Sequence, residues 1–351
     1  MYMLKKIYDK LTKCIKLSII WLVNILFSKS HFKVSIFKRI YYAIFGGFIA
    51  DQIVIYNLNK KNKKEYLSEF EWYKSRYINE PYNFVLNNKL VCTDLFKEHL
   101  NVPKVYCFKK DKNIFSSENI NTYEEIIKLL LKKEELIIKP ISKGKGTDVY
   151  KIESQKGVLK INNKETTEEE IIELLKSKNN WFISEYIKQA EYLNKIFEYS
   201  TNTIRLITIR NPKTKKCEVL FAVQRIGNKE SIPVDNGSKG GLVAKIDLTT
   251  GKLSAAKSIQ NTKEYNKHPD SNNPIKGVEI PNWKEIKETY IKTMDNYPYL
   301  YFIAWDILVT EKGPVLIEAN TSSGVNIIQI WAGQRNRELG QFYKSHKIIK
   351  R

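Results

Sequence analysis

The stretch FIAWDILVTEKGPVLIEANTSSG, residues 302–324, decides more about this chain than any other. Two apolar runs, 302–310 and 314–320, flank Glu311-Lys312-Gly313-Pro314, a combination that turns the chain, so the segment reads as a β-hairpin. Counted about the turn, Asp306 and Glu318 fall nearly opposite each other. Asn320 lies two residues beyond Glu318 and projects to the same face. Two carboxylates and an amide oxygen on one sheet face make an all-oxygen donor set suited to Mg2+, which in turn holds nucleotide phosphates. The plainer reading, solvated hairpin residues, is weakened by the apolar neighbours Ile303, Trp305, Val315, Leu316 and Ile317.

Upstream of the hairpin, TIRLITIR (203–210), VLFAVQRIG (219–227) and GLVAKIDL (241–248) read as strands, with turn signals such as Asn211-Pro212 and Thr250-Gly251 at their ends. A helix is expected around 283–294. Further back, Leu136-Ile137-Ile138-Lys139-Pro140 is a short buried strand followed by the loop SKGKGT, residues 142–147. Residues 149–152 and 157–161 then form a returning hairpin, and TTEEEIIELLKSK is a helix leading into the strand WFISEYI, residues 181–187. Thr122 caps the helix TYEEIIKLLLKKEE, which has acidic residues in its first turn and lysines in its last. Segments 60–80 and 87–101 also read as helix, and Pro103 opens a strand. The order is α+β, antiparallel sheets with helices laid against them.

Lys139 and its loop are the second chemical signal. A lysine at the end of a buried strand can reach a phosphate, and glycines at 144 and 146 let backbone N–H groups approach phosphate oxygens. The pattern is neither a P-loop nor a dinucleotide fingerprint, which counts against a P-loop kinase. Cys14, Cys92, Cys107 and Cys217 and the four histidines show no metal-ligand or redox spacing, as expected of a reduced cytoplasmic compartment. The net charge of +21 calls for an anionic partner or reflects a lysine-rich composition. No helix-turn-helix, zinc-finger or aromatic RNA-binding signature accompanies it, so nucleic acid is not the expected partner.

The first 58 residues differ from the rest. Leu4, Ile7, Leu11, Ile15, Leu22 and Ile25 share one helical face, and Lys5, Lys6, Lys10, Lys13 and Lys16 lie opposite. The apolar run that ends at Phe27 is short for a transmembrane helix. No small-x-small cleavage site follows it as a signal peptide would require. A second apolar patch, YYAIFGGFIA, ends at Ala50. A basic amphipathic helix lying peripherally on the inner face of the membrane fits this pattern, and so does a hairpin packed on its own catalytic domain.

Taken together, these stretches resemble the ATP-grasp superfamily: IEANTSSGVN its metal-and-phosphate signature, IIKP-x-SKGKGT its phosphate-sensing lysine and glycine loop, FISEYI its adenine hinge. Within it the chain is most similar to the sugar-transfer-associated ATP-grasp proteins found with polysaccharide biosynthesis genes. NNKLV, STNTIRLITI, QRIG, VDNGSKGGLVAKIDLTTG and WDILVTEKGPVLIEANTSSG carry that likeness, over about 79–340. The resemblance implies that Lys89 and Lys139 contact ATP phosphates and that Ser142, Gly144 and Gly146 belong to the loop over them. Glu185 would order the adenine hinge, and the backbone of Tyr186 and Ile187 would read the adenine edge. Glu191 would take the ribose hydroxyls, and Asp306, Glu318 and Asn320 would hold Mg2+. Arg205 and Arg225 would flank the transferred phosphoryl group, and Ser322, Ser323 and Gly324 would meet the acceptor.

Four regions are expected: 1–58, a basic helical segment at the membrane interface; 59–125, a helical part of the catalytic region; 126–190, a small subdomain with the glycine loop and hinge; 191–351, a large subdomain with the metal site. Many superfamily members begin with a Rossmann-like domain, and this chain does not read so, which leaves its substrate open. The expected activity is an ATP-dependent carboxylate–amine ligase acting on a carboxylate-bearing or sugar acceptor in surface polysaccharide biosynthesis. A kinase of the same fold is the alternative, and a non-catalytic basic binding module is a third reading that leaves the converging Asp306, Glu318 and Asn320 without a purpose.

Overall fold

The computed structural model describes residues 2–142, 144 and 146–349, without the side chains at positions 2, 3, 5 and 6. Lys143 and Lys145 of the glycine loop, and the side chains of Lys5 and Lys6, therefore lie outside the described residues. The α+β class read from the sequence is what the chain adopts: two seven-stranded antiparallel sheets, each with helices against it.

The first sheet is built from β1 (Val105–Lys110), β2 (Asn113–Phe115), β3 (Glu135–Pro140), β4 (Tyr150–Gln155), β5 (Val158–Ile161), β6 (Lys164–Thr166) and β7 (Trp181–Glu185), in the order β2-β1-β7-β3-β4-β5-β6. Helices Tyr123–Lys133 and Glu168–Ser177 cover one face. Both begin with a capping box, Thr122 with Glu125 and Thr167 with Glu170, so their first N–H groups are satisfied locally. Each then buries an aliphatic stripe, including Ile126, Leu130, Ile171 and Leu175, against Leu136, Ile138 and Ile183 of the sheet. Buried Lys109 on β1 closes the other end of the second helix, donating to the carbonyls of Leu175, Lys176 and Lys178 at 3.0, 3.0 and 2.9 Å.

The second sheet comprises β8 (Ile204–Arg210), β9 (Cys217–Ile226), β10 (Leu242–Ile246), β11 (Leu253–Ser258), β12 (Glu264–Tyr265), β13 (Phe302–Thr310) and β14 (Gly313–Asn320), in the order β12-β11-β10-β9-β8-β13-β14. Both faces are covered, which is why its strands read as continuous apolar runs. Ile303, Trp305 and Ile307 face a core shared with helix Trp283–Asp295, whereas Phe302 and Ala304 face Val325, Leu339 and Phe342 of the C-terminal helices. Trp305 is fully buried and its indole N–H donates to Thr208 at 2.8 Å.

The helix expected over 60–80 is broken. A short 3-10 turn (Asn62–Glu65) and a helix (Glu69–Ser75) replace it, because buried Ser68 stops the chain, caps Glu71 and forms a capping box with it. Buried Asn79 ties this region to the hairpin, donating to the Phe302 carbonyl at 2.6 Å and accepting from the N–H groups of Tyr301 and Phe302. The other expected helix is shorter than 87–101: it runs Lys89–Phe96, with Asn88 as its N-cap.

At the N-terminus the helix Tyr2–Ile20 runs into a π-helical stretch, Trp21–Leu26. This corrects the expected common face of Leu4 to Ile25. The wider i→i+5 turn delays the rotation of the side chains, and Ile25 ends in the core while Leu4, Ile7, Leu11, Ile15 and Leu22 stay exposed.

Candidate active site

The hairpin sets Asp306, expected nearly opposite Glu318, directly against it, and Ala304 against Asn320. A bulge just after Asp306 interrupts the ladder there, as bulges commonly do where a side chain is re-aimed. On its other side β13 pairs with β8, which sets Asp306 opposite Arg205. Glu318, Asp306 and Arg205 therefore form one row across three strands, with Arg225 of β9 beside it.

Asp306 is 3% exposed and its carboxylate is gripped by both arginines. Arg205 binds it in a fork, Nε to Oδ1 at 2.5 Å and Nη2 to Oδ2 at 2.9 Å, and Arg225 Nη1 donates to Oδ2 at 3.1 Å. Burial alone pushes the Asp306 carboxyl up, but the two guanidinium groups outweigh it and hold the carboxyl well below the usual range. Arg225 also binds Asp235, at 2.6 Å, and Asp235 accepts from the Thr203 N–H and hydroxyl. Sequence reasoning misses Asp235; its signal is the segment VDNG, which the loop after β9 brings under Arg225.

Lysines face this row from the first sheet's side. Lys89, at the first turn of its helix, pairs with Glu318 at 3.4 Å. Lys139, at the end of β3, is half-buried, and its ammonium makes no hydrogen bond or ion pair with any described residue. Burial, the largest influence, lowers its ammonium; Glu318 opposes this and Lys89 adds to it, leaving it at about 8. An isolated, partly desolvated ammonium is costly, and it is relieved when an anion arrives.

One cavity between the two sheets gathers most of the expected residues. Lys89, Lys139, Gly146, Glu185, Tyr186, Ile187, Arg225, Asp306 and Glu318 all line it. Part of its wall is apolar, with Ile137 of β3 and Val149 just before β4 on one side and Leu308 and Ile317 of the second sheet on the other. The N–H of Ile187, just past the β7 ladder, makes no hydrogen bond among the described residues, so it remains available to a planar ligand's edge. Lys151 sits 4.1 Å from the centre of the Tyr186 ring and pairs with Glu135 and Glu153 at 2.7 and 2.8 Å, bracing that side. Gly146 has φ +62°, and a Cβ there would stand 2.9 Å from the Val234 side chain; the glycine loop thus closes on the segment after β9 where only glycine fits.

Other expected residues lie elsewhere. Ser142 and Gly144 are exposed on the outer part of the loop. Arg205 does not line the cavity but stands behind Asp306, where its Nη1 donates to buried Ser323 at 3.1 Å. Ser322 and Gly324 flank that serine, outside the cavity wall. Glu191 lines a separate pocket with Pro281 and Gly313, at the head of helix Glu191–Phe197, and its N–H is taken by Glu311 at 2.7 Å. Glu198, at the far end of that helix, lines the main cavity instead.

Asn320 lies beside Glu318, its amide nitrogen 3.4 Å from Oε1. Among the described residues no group of three or more His, Cys, Asp and Glu side chains could hold a metal ion by itself. Mg2+ ordinarily needs only one or two carboxylates, completing its shell with phosphate and water oxygens. Glu318, Asn320 and one remaining lone pair on Asp306 Oδ1 meet that demand, since a carboxylate accepts about four hydrogen bonds and Asp306 accepts three.

Two antiparallel sheets closing on a lysine-lined cavity are the ATP-grasp fold. The chain belongs to the sugar-transfer associated ATP-grasp family, whose model matches residues 70–341. No curated protein matches the chain. Among solved structures it is similar to an ATP-grasp ligase, PsnB, complexed with a minimal precursor, at 14% identity and a TM-score of 0.38 over 77% of this chain and 63% of that one. The D-alanine–D-alanine ligase from Coxiella burnetii overlaps it at 13% identity and TM-score 0.41 over 75% and 57%. The N5-carboxyaminoimidazole ribonucleotide synthetase from Thermotoga maritima does so at 12% and 0.40 over 76% and 50%. The chain spans less than two thirds of the length of each of these.

Proposed function

We propose that this chain is an ATP-dependent carboxylate–amine ligase that works through an acyl phosphate, on an acceptor of cell-surface polysaccharide biosynthesis. The observation that carries this reading is one cavity in which Lys139 and Lys89 face the Glu318–Asp306–Arg225 row. The adenine would slide between Ile137 and Val149 on one side and Leu308 and Ile317 on the other, its edge read by the backbone of Tyr186 and Ile187. Glu198, in place of Glu191, would take the ribose. Lys89 and Lys139 would hold the phosphates, and Gly146 would close the loop over them.

Glu318, Asn320 and Asp306 would hold Mg2+, which neutralises phosphate charge as the bond to the γ-phosphorus breaks. Arg225 would orient the acceptor carboxylate toward the γ-phosphoryl group, where positioning supplies most of the rate. A carboxylate oxygen attacks phosphorus and ADP leaves. The amine nitrogen then attacks the carbonyl carbon, phosphate leaves, and the ammonium proton is lost to give the amide. Arg205 acts one step back, fixing Asp306 and Ser323 rather than touching substrate. The two halves of the nucleotide clasp would be 105–190, wider than the expected 126–190 because β1 and β2 join the first sheet, and 191–351.

The test traps the intermediate. The protein is incubated with Mg-ATP, uronic acids or amino acids, and hydroxylamine, which converts an acyl phosphate into a hydroxamate. Hydroxamate with matching ADP supports the ligase. ADP with a stable phosphorylated acceptor and no hydroxamate would replace it with a kinase of the same fold.

A further inference from the structure

A surface helix normally turns its apolar stripe to the core. The N-terminal helix does the reverse. Leu4, Ile7, Leu11, Ile15 and Ile19, spaced along one face, are between 51% and 72% exposed. Its opposite side is pinned to the body: Lys13 Nζ lies 3.2 Å from Glu80 and 4.1 Å from the centre of the Tyr77 ring. The stripe cannot roll inward without breaking those contacts. The helix Ile36–Ile44, which packs on the π-helical stretch, repeats the arrangement. It buries Tyr42 and Ala43 and exposes Ile36, Phe37, Ile40 and Ile44, with Phe45 just beyond. Of the 22 large hydrophobic side chains exposed among the described residues, 14 lie in positions 4–45, so this is one concentrated surface rather than scattered exposure.

The charge around this surface says what covers it. Positions 1–45 hold nine Lys or Arg and one acidic residue, Asp9. Lys10 and Lys16 stand about a third of a turn to either side of the stripe, and they, Lys29, Lys33 and Lys38 are exposed. A second copy of the chain would bring the same positive charge against it. An anionic lipid surface would neutralise it and accept the apolar stripe. Among the described residues no helix is long and apolar enough to cross a membrane.

We propose that this face docks the protein peripherally on an anionic lipid surface, with the two stripes at the headgroup–acyl boundary and the flanking lysines at the level of the lipid phosphates. The unit is fastened to the catalytic body: Gln52 Nε2 and Tyr56 OH both donate to Asn326 Oδ1, at 2.8 and 2.6 Å, at the start of the helix Asn326–Gln329 just past Ser322-Ser323-Gly324. The whole protein is therefore the docked body.

Co-sedimentation of the full chain with phosphatidylcholine vesicles, with and without phosphatidylglycerol, tests this. Binding is expected only to the anionic vesicles and should weaken with salt. The Lys10→Gln/Lys16→Gln variant should partition roughly 25-fold less, at about fivefold per lysine. The Leu11→Glu/Ile15→Glu/Ile19→Glu variant should lose binding while keeping its far-UV spectrum and melting temperature. Absence of anionic-vesicle binding by the wild-type chain, or full binding by the triple glutamate variant, overturns the proposal. So does a dimer that this variant dissociates while vesicles bind neither protein, since a second copy then covers the face.

Discussion

Replacing Lys139 by methionine should strengthen the empty protein and weaken its hold on nucleotide. The ammonium of Lys139 is half-buried without a partner among the described residues, and its pKa sits at about 8 rather than 10.5. In the folded, ligand-free state the charged form is thus disfavoured, and an apolar chain of similar length removes that cost, about 1–3 kcal/mol at pH 7. The sign for wild type follows from the same shift. Between pH 8 and 10.5 the unfolded lysine keeps a proton that the folded one has released, so stability rises with pH across that window. Bound phosphate reverses the preference by pairing with the ammonium, and nucleotide binding takes up a proton above pH 8. Wild-type affinity should hold steady to about pH 7.5 and then fall, approaching tenfold per pH unit. Loss of a charged hydrogen bond worth about 1.5–3 kcal/mol makes Lys139→Met bind roughly 10- to 150-fold more weakly at pH 7. The Lys139→Arg variant should bind without the alkaline fall. Calorimetric titration of Mg-ATP across pH 6.5–9.5, with thermal melts of the empty proteins, measures both effects (the range brackets the value of about 8). Unchanged affinity in Lys139→Met, or an alkaline fall that persists in it, would refute the placement of Lys139 against phosphate.

Glu318→Gln should reduce Mg-ATP turnover by orders of magnitude and leave the melting temperature nearly unchanged, because it would remove the charge proposed to hold Mg2+ from a partly exposed side chain; wild-type turnover would remove Glu318 from the site. Asp306→Asn leaves two buried arginines short of their anion and should cost about 3–5 kcal/mol, seen as a lowered denaturant midpoint. Glu198→Ala should weaken nucleotide binding several-fold while Glu191→Ala leaves it unaltered, and the opposite pattern would restore Glu191 to the ribose. Thr208→Val strands the buried Trp305 indole N–H and should destabilise the fold by about 1–3 kcal/mol without changing nucleotide affinity.

The sequence by itself determined whatever depends on neighbours along the chain. The turn at 311–314 places Asp306 within a residue of Glu318, although their direct pairing rests on the bulge after Asp306, since counting on from Thr310 and Gly313 alone would set Ile317 opposite. Thr122 and Thr167 start helices where the sequence places them, because a capping box satisfies N–H groups three residues away. The family too was legible, since its motifs are short contiguous runs. Contacts between distant segments were not. That β13 lies beside β8, bringing Arg205 and Arg225 onto the Asp306 carboxylate, is a choice of strand order that no local pattern encodes. Asp235 joins the site because the loop after β9 folds back under Arg225, and Glu191 leaves it because the helix it begins points its first turn into another pocket. At the N-terminus the sequence supplied an amphipathic helix but not which way it faces. Lys13 on Glu80 and Tyr77 decided that, and turned the apolar side outward.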